Sequence, residues 1–163
     1  MRWFRHLFAP SAHRLFPPES LQRIAAAIAE GERLHSGEVM FAVEPGLELG
    51  ALRQGVDARR AAQAAFARLR TWDTAANNGV LIYLLLADHR IEIVADRGLE
   101  GQVLPQEWQS VCAQIESGMR EGRFEAAVIA GVRAASALLA RAFPATPGDA
   151  GENELPDLPH ILG

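Results

Sequence analysis

The feature that most constrains the fold is an uninterrupted apolar run over residues 80–87, rich in β-branched and other aliphatic side chains. The run is too short to cross a bilayer, which takes about 20 residues. A run of this length and composition is typical of a strand that is covered on both faces of a sheet. We therefore predict that it forms the central strand of the domain.

A hairpin is predicted directly after this strand. A polar turn at Asp88-His89 is followed by residues 90–94, where polar and apolar side chains alternate at first, as in an antiparallel partner with one wetter face. A hairpin brings the start of its first strand next to the end of its second, so the flanking polar residues should meet at one end of the sheet. These residues are Asn77, Asn78, Asp96, Arg97 and Glu100.

The segments around the hairpin predict a crossover unit and helices. Residues 38–44 predict a first strand, and the helical pattern of residues 56–69 returns the chain to a second strand parallel to it. Apolar stripes predict further helices in residues 18–35, 104–119 and 123–142. The predicted fold is an α/β domain, a three-layer α/β/α sandwich with a small mixed central sheet and helices on both faces.

Composition divides the chain into three parts. Residues 1–17, the N-terminal arm, are basic and aromatic with no acidic residue, and residues 18–143 form the predicted domain. The arm either folds over the domain's own apolar surface or lies on an anionic membrane surface or a protein partner. Residues 144–163, the acidic, Pro- and Gly-rich C-terminal tail, should be mobile at least to residue 151, with an apolar end that docks on the domain or on a partner.

Charge and cysteine content exclude several classes of function. The chain has 16 basic and 20 acidic residues, and all the basic ones are arginine. The middle of the chain has no basic stretch that suits a phosphate backbone, so we expect no binding to nucleic acid. The single cysteine, Cys112, cannot form an internal disulfide and lies at an apolar helix position, which predicts a core residue. The five histidines show no metal-ligand spacing and are predicted to have ordinary surface roles.

No secretory signal and no transmembrane stretch is recognisable in the sequence. We therefore expect a cytoplasmic protein, with the inner face of the membrane as the place where residues 1–16 would make a peripheral contact.

Four short motifs lie at the ends of the predicted elements. They are Ser36-Gly37-Glu38-Val39, Asn78-Gly79-Val80-Leu81-Ile82, Asp96-Arg97-Gly98-Leu99-Glu100 and Gly122-Arg123-Phe124-Glu125. Their order and spacing over residues 18–143 resemble the TPM domain family, which includes a plant thylakoid lumen protein, a cyanobacterial photosystem repair factor and bacterial envelope proteins. The chain resembles a short stand-alone bacterial member of that family. The resemblance implies an α/β/α sandwich and, as described for some members, acid phosphatase activity or calcium binding.

The predicted polar end of the sheet is a candidate site for a hard cation. Glu38 starts a strand parallel to the central one and so joins the residues of the hairpin there. Calcium takes carboxylate and amide oxygens as ligands, and a bound metal could hold a phosphate ester or polarise water. The candidate metal ligands are Glu38, Asp73, Asn77, Asn78, Asp96 and Glu100, and the candidate catalytic residues are Asp73, Asp96 and Arg97. The alternative is that these side chains only stabilise turns and surface ion pairs.

Three functions follow as hypotheses, and whether the chain is an enzyme is left open. The leading one is an accessory or interaction module associated with envelope proteins or with another TPM protein. The second is a calcium-dependent acid phosphatase of weak activity, in which Arg97 would bind the phosphate in a bidentate way. The third is a peripheral membrane-surface protein that binds through its N-terminal arm.

Overall fold

A mixed four-stranded sheet forms the centre of the computed structural model, which describes residues 1–148 and 153–163. The strands are β1 (Glu38–Glu44), β2 (Gly79–Leu85), β3 (Arg90–Ala95) and β4 (His160–Ile161), in the order β3-β2-β1-β4. β1 is parallel to both β2 and β4, and β2 is antiparallel to β3. The predicted crossover and hairpin are confirmed, whereas β4 was not predicted.

Helices cover both faces of the sheet, as the predicted sandwich requires. They are α1 (Arg2–Leu7), α2 (Ala12–Leu15), α3 (Pro18–Glu32), α4 (Leu49–Arg53), α5 (Ala58–Arg68), α6 (Pro105–Arg120) and α7 (Phe124–Ala142). α3, α6 and α7 share one apolar core with one face of the sheet, and α4 and α5 share a second core with the other face. α4 lies between the predicted first strand and the predicted helix of residues 56–69, where no helix was predicted.

β2 is buried along its whole length, which explains its unbroken apolar sequence. Its side chains alternate between the two cores, with Ile82 in the core of α3, α6 and α7 and Tyr83 in the core of α4 and α5. The strand ends earlier than predicted, because residues 86–88 form a 3₁₀ turn and His89 takes a left-handed conformation with φ of 50°. The turn closes the hairpin to β3.

Side chains cap the outer backbone groups of β3, the strand at one edge of the sheet. The Arg59 guanidinium donates to the carbonyl oxygen of Ile93 at 2.5 Å, and the Ile91 N–H donates to Glu116 Oε1 at 3.2 Å. Capping by charged side chains protects an edge strand from pairing with another chain.

The end of the C-terminal tail covers the other edge of the sheet. β4 pairs with Ala42 and Val43, and Leu155 and Leu162 are buried on the domain. Of the two alternatives predicted for this segment, docking on the chain's own domain is the one observed. The segment predicted to be mobile ran from residue 144 at least to residue 151, and its last part, residues 149–151, lies outside the described residues.

Candidate functional site

The polar end of the sheet is assembled as the hairpin predicts. The Asp96 N–H donates to the Gly79 carbonyl oxygen at 2.9 Å, and the Gly98 N–H donates to the Asn77 carbonyl oxygen at 2.8 Å. A Cβ atom on Gly98 would lie 2.5 Å from that same Asn77 oxygen, so this close approach requires glycine. The start of β2 and the end of β3 are therefore in direct contact.

Two candidate ligands at this end are buried and incompletely bonded. Asn78 donates from Nδ2 to the Ser36 carbonyl oxygen at 3.1 Å, while its Oδ1 has no hydrogen-bond partner. Glu38 Oε1 accepts from the Glu154 N–H at 3.1 Å, while its Oε2 has none. Buried polar atoms without partners are costly and are therefore candidates for contact with a ligand.

The pleat of the sheet separates these two side chains. Asn78 continues the face of Val80, which belongs to the core of α3, α6 and α7, whereas Glu38 shares its face with Met40 in the core of α4 and α5. Asp96 follows the face of Val94 and so lies on the side of Glu38. The six predicted ligands therefore do not surround one point.

The remaining predicted site residues lie mostly at the surface. Asp73 is exposed and pairs with Arg70 at 2.7 Å, and Arg97 and Glu100 are exposed in the 3₁₀ turn after β3. Asp96 Oδ1 accepts from the Arg97 N–H at 2.8 Å, and its Oδ2 is buried without a partner. Within the described ranges, no group of three His, Cys, Asp or Glu side chains is arranged to hold a metal ion.

Sequence reasoning missed Glu32, which lies beside Glu38. Its Oε1 accepts from the Val39 N–H at 3.1 Å. Burial, together with the charges of Glu38 and Asp157, raises the pKa of Glu32 to about 9, and burial also raises the pKa of Glu38. Glu32 is therefore protonated at neutral pH, and its neutral carboxyl adds no negative charge beside Glu38. A glutamate near the end of an amphipathic helix gives no sequence signal for such a role.

A cavity of about 510 Å³ runs along the capped edge of β3, between α5 and α6. Ile93, Leu99 and Trp108 supply apolar walls, and Cys112 is half-buried there instead of lying in the closed core. Burial raises the pKa of the Cys112 thiol to about 11, so at neutral pH it is protonated and is a poor nucleophile.

The N-terminal arm is fixed to the domain at Asp88. Arg2 donates to the Asp88 carboxylate from Nη2 at 2.8 Å and from Nε at 3.0 Å. His6 accepts at Nδ1 from the Leu47 N–H at 3.0 Å, which leaves Nε2 to donate to Asp88 Oδ1 at 3.2 Å. Burial alone would raise the pKa of Asp88, but its contacts with Arg2 and His6 outweigh this effect and lower it.

The prediction of surface roles for the histidines is wrong for His6 and His35, which are both buried. His6 is buried because its two ring nitrogens bond to the domain. His35 is buried where α3 meets the end of α7, with Nδ1 at 2.9 Å from the Gly37 carbonyl oxygen, and burial lowers its pKa. Both contacts depend on the tertiary fold and have no local sequence signal.

The arm nevertheless leaves large apolar side chains in solvent. Phe8 is 79% exposed, Phe4 58% and Trp3 43%, and Leu7 is also exposed. In contrast, Phe16 at the end of the arm is fully buried, with its ring 5.7 Å from that of Phe41. The arm is thus folded onto the domain at its end and presents an apolar face at its start.

The sheet order and the two helical layers define the class of this protein as a three-layer α/β/α sandwich with a small mixed sheet. The family model of the TPM domain matches residues 12–138, so the chain belongs to the TPM domain family. The resemblance seen in the sequence is confirmed.

A solved structure supports the same assignment. The chain is similar to the NMR structure of the BA42 protein from the psychrophilic bacterium Bizionia argentinensis, with a TM-score of 0.76 and 26% sequence identity. The similarity covers 93% of this chain and 98% of that one. None of the curated proteins compared with the chain matches it significantly in sequence. Among the described residues, no helix combines the length and apolar character needed to cross a membrane.

Proposed function

We propose that this TPM domain is an accessory module that works at a membrane surface, where its N-terminal arm binds anionic lipid. The observation that carries the proposal is the exposed apolar face of α1. A contiguous set of large exposed apolar side chains commonly marks an interaction surface. Arginines interleaved with aromatic side chains are typical of segments that lie in the membrane interface.

The anchor of α1 explains why this face is turned outward. Arg2 and His6 are four residues apart and so share one side of the helix, which binds Asp88. Trp3 and Leu7 form a second stripe at the same spacing. Phe4 and Phe8 form a third stripe, and the second and third stripes together make up the exposed apolar face. Because the first stripe is held on the domain, the others cannot turn inward without breaking the contacts of Asp88.

The expected binding is weak and reversible. Full burial of such a side chain contributes about 1.5–3 kcal/mol, and Trp3, Phe4, Leu7 and Phe8 still have roughly half of that to gain. The total of roughly 4 kcal/mol corresponds to a dissociation constant of about 1 mM. Arginines near an anionic surface add about 1 kcal/mol each, so the binding should depend on anionic lipid and decrease with salt.

Flotation with vesicles of neutral lipid, with and without about one third anionic lipid, tests the proposal. The full chain should float with the anionic vesicles, and the variant Trp3→Ser/Phe4→Ser/Phe8→Ser should lose at least about tenfold in apparent affinity. Equal recovery of the variant and the native chain would refute a role of the arm.

Matched controls are available elsewhere on the surface. Leu34, Leu104 and Leu158 are about as exposed as the arm residues, and their combined replacement by serine removes a similar apolar area. This control should float like the native chain. Arm-dependent recovery on native membranes, without recovery on pure lipid vesicles, would instead assign the apolar face to a protein partner.

A second candidate function is a cation-dependent phosphatase. It is supported by the unpartnered buried oxygens Glu38 Oε2 and Asp96 Oδ2, which lie on the same side of the sheet. Carboxylate oxygens suit calcium, and these two would be its first ligands here. Asp73 is a weaker candidate because its carboxylate already pairs with Arg70.

Calcium titration followed by NMR, with a phosphate ester assay at acidic pH, separates this candidate from the first. Asp96→Asn and Glu38→Gln should each abolish a calcium response, while Asp73→Asn should leave it nearly unchanged. A native chain that shows neither a calcium response nor turnover would exclude the phosphatase without affecting the arm.

A further inference from the structure

A recess of about 360 Å³ beside the N-terminal arm is lined by four arginines from three separate elements. Arg2 and Arg5 come from α1, Arg59 comes from the first turn of α5, and Arg90 begins β3. The sequence separates these residues widely, and the docking of the arm adds Arg2 and Arg5 to Arg59 and Arg90, which already meet at Glu92 on the domain.

The recess is lined by fewer acidic residues than arginines, and two of these acids already accept hydrogen bonds. Asp57 caps α5 by accepting from the Arg60 N–H at 2.8 Å. Asp88 is bonded to Arg2 and His6. The lining itself holds four arginines and three acids, because Glu92 is the third, and Glu116, outside the lining, lies 3.8 Å from Arg90.

Three of the arginines keep unused hydrogen-bond donors. Arg5 lies 3.6 Å from Asp88, and Arg90 lies 3.9 Å from Glu92 and 3.8 Å from Glu116. Arg59 donates to the carbonyl oxygen of Ile93 from one nitrogen and otherwise lies 3.6 Å from Glu92. These separations are too long for good hydrogen bonds, and each guanidinium has five N–H donors. The three side chains are about half exposed, so an entering anion can reach them.

We propose that this recess binds a phosphomonoester group, carried either by a lipid headgroup or by a soluble phosphate ester. A phosphomonoester offers three acceptor oxygens and up to two negative charges, which matches three guanidinium groups with free donors. The planar fork of arginine binds such oxygens in pairs, which a lysine cannot do. The inference adds a ligand to the proposed membrane function. It rests on that function only if the phosphate group belongs to a lipid headgroup.

Titration of the full chain with glycerol 3-phosphate, followed by the NMR signals of the arginine Nε–H groups, tests the soluble source. The signals of Arg5, Arg59 and Arg90 should shift together. Arg59→Gln and Arg90→Gln, made separately, should each weaken the binding by about tenfold, the effect of losing one charge-assisted pair. Arg133→Gln is the matched control, since this exposed arginine lies on α7 and should leave the titration unchanged.

Arg59→Gln also removes a cap from Ile93, so Arg90→Gln provides an independent test if the first variant folds poorly. Shifts that are unaffected by both arginine variants would overturn the assignment of the recess. Shifts of equal size on Arg133 would show general counter-ion binding and would also overturn it.

Flotation on vesicles that contain phosphatidic acid or phosphatidylglycerol, at matched surface charge, tests the lipid source. Phosphatidic acid carries a monoester and should be bound several-fold better by the native chain but not by Arg90→Gln. Vesicle binding that depends on Trp3, Phe4 and Phe8 but not on Arg59 or Arg90 would leave the proposed function standing and overturn the lipid headgroup as the ligand of the recess. Binding of glycerol 3-phosphate without any vesicle binding would assign the recess to a soluble ester and reject the membrane function.

Discussion

Replacing Glu32 by glutamine should stabilise the protein at neutral and alkaline pH. Burial and the nearby carboxyl groups of Glu38 and Asp157 raise the pKa of Glu32 from its usual 4.5 to about 9. Between these two values the folded state holds a proton that the unfolded state releases. The protein is therefore most stable, with respect to this group, below pH 4.5 and loses that stability as the pH rises towards 9.

The magnitude follows from the same shift. Since pH 7 lies about 2.5 units above the usual pKa, protonating Glu32 on folding at this pH lowers the free energy of unfolding by about 3.4 kcal/mol. The Glu32 side chain is still partly exposed, and solvent screening reduces this value to about 1–2 kcal/mol. Glutamine keeps an acceptor for the Val39 N–H and always carries a donor, so the variant should gain this amount, or roughly 3–6 °C in Tm.

Urea and thermal unfolding at about pH 5, 7 and 9 measure the difference between the native chain and Glu32→Gln. The gain should be small at the lowest pH and grow steadily with pH. Glu30→Gln is the matched control on the same helix, because Glu30 is exposed and should change stability by less than about 0.5 kcal/mol. A gain that is absent at pH 9, or that is the same at every pH, would refute the reasoning.

Two further predictions concern the sheet end and the arm. Gly79→Ala should lower the free energy of unfolding in urea by more than about 3 kcal/mol, because the new Cβ would lie 1.9 Å from the Thr71 carbonyl oxygen. A Cβ on Gly50 would have nothing within 4 Å, so Gly50→Ala should be neutral or slightly stabilising. Similar costs for both variants would contradict the geometry. Asp88→Asn should release the arm and increase the mobility of Trp3, measured by fluorescence anisotropy of a variant with no other tryptophan. The native arm should loosen only at acidic pH, because the lowered pKa of the Asp88 carboxyl gives stability that is lost as the pH falls through it. An unchanged anisotropy in Asp88→Asn would show that the arm is held by other contacts.

The central part of the fold could be predicted because its signals are local. The apolar run of β2, the turn at Asp88-His89 and the alternation of β3 are adjacent in sequence, and a hairpin fixes which residues meet. β4 could not be predicted in this way, since His160 and Ile161 pair with residues more than 100 positions away and follow a Pro-rich segment. Two residues are too few to show a strand pattern.

The candidate site was predicted in position but not in geometry. Contact between Asn77 and the turn at Gly98 follows from the hairpin alone. The direction of each side chain depends on the pleat, which turns Asn78 and Glu38 to opposite faces, and the pairing of Asp73 depends on the local position of Arg70. The anchor at Asp88 joins residues more than 80 positions apart, so no local pattern could indicate it.

Because both edges of the sheet are covered, neighbouring molecules should not pair through their strands when they are crowded together. Proteins confined to a two-dimensional surface meet one another at high local concentration, and an open strand is then a template for polymerisation. Here the side chains of Arg59 and Glu116 cap β3, and residues 160–161 pair with β1. Removing residues 153–163 should therefore leave a domain that folds but forms oligomers through β1 as its concentration rises.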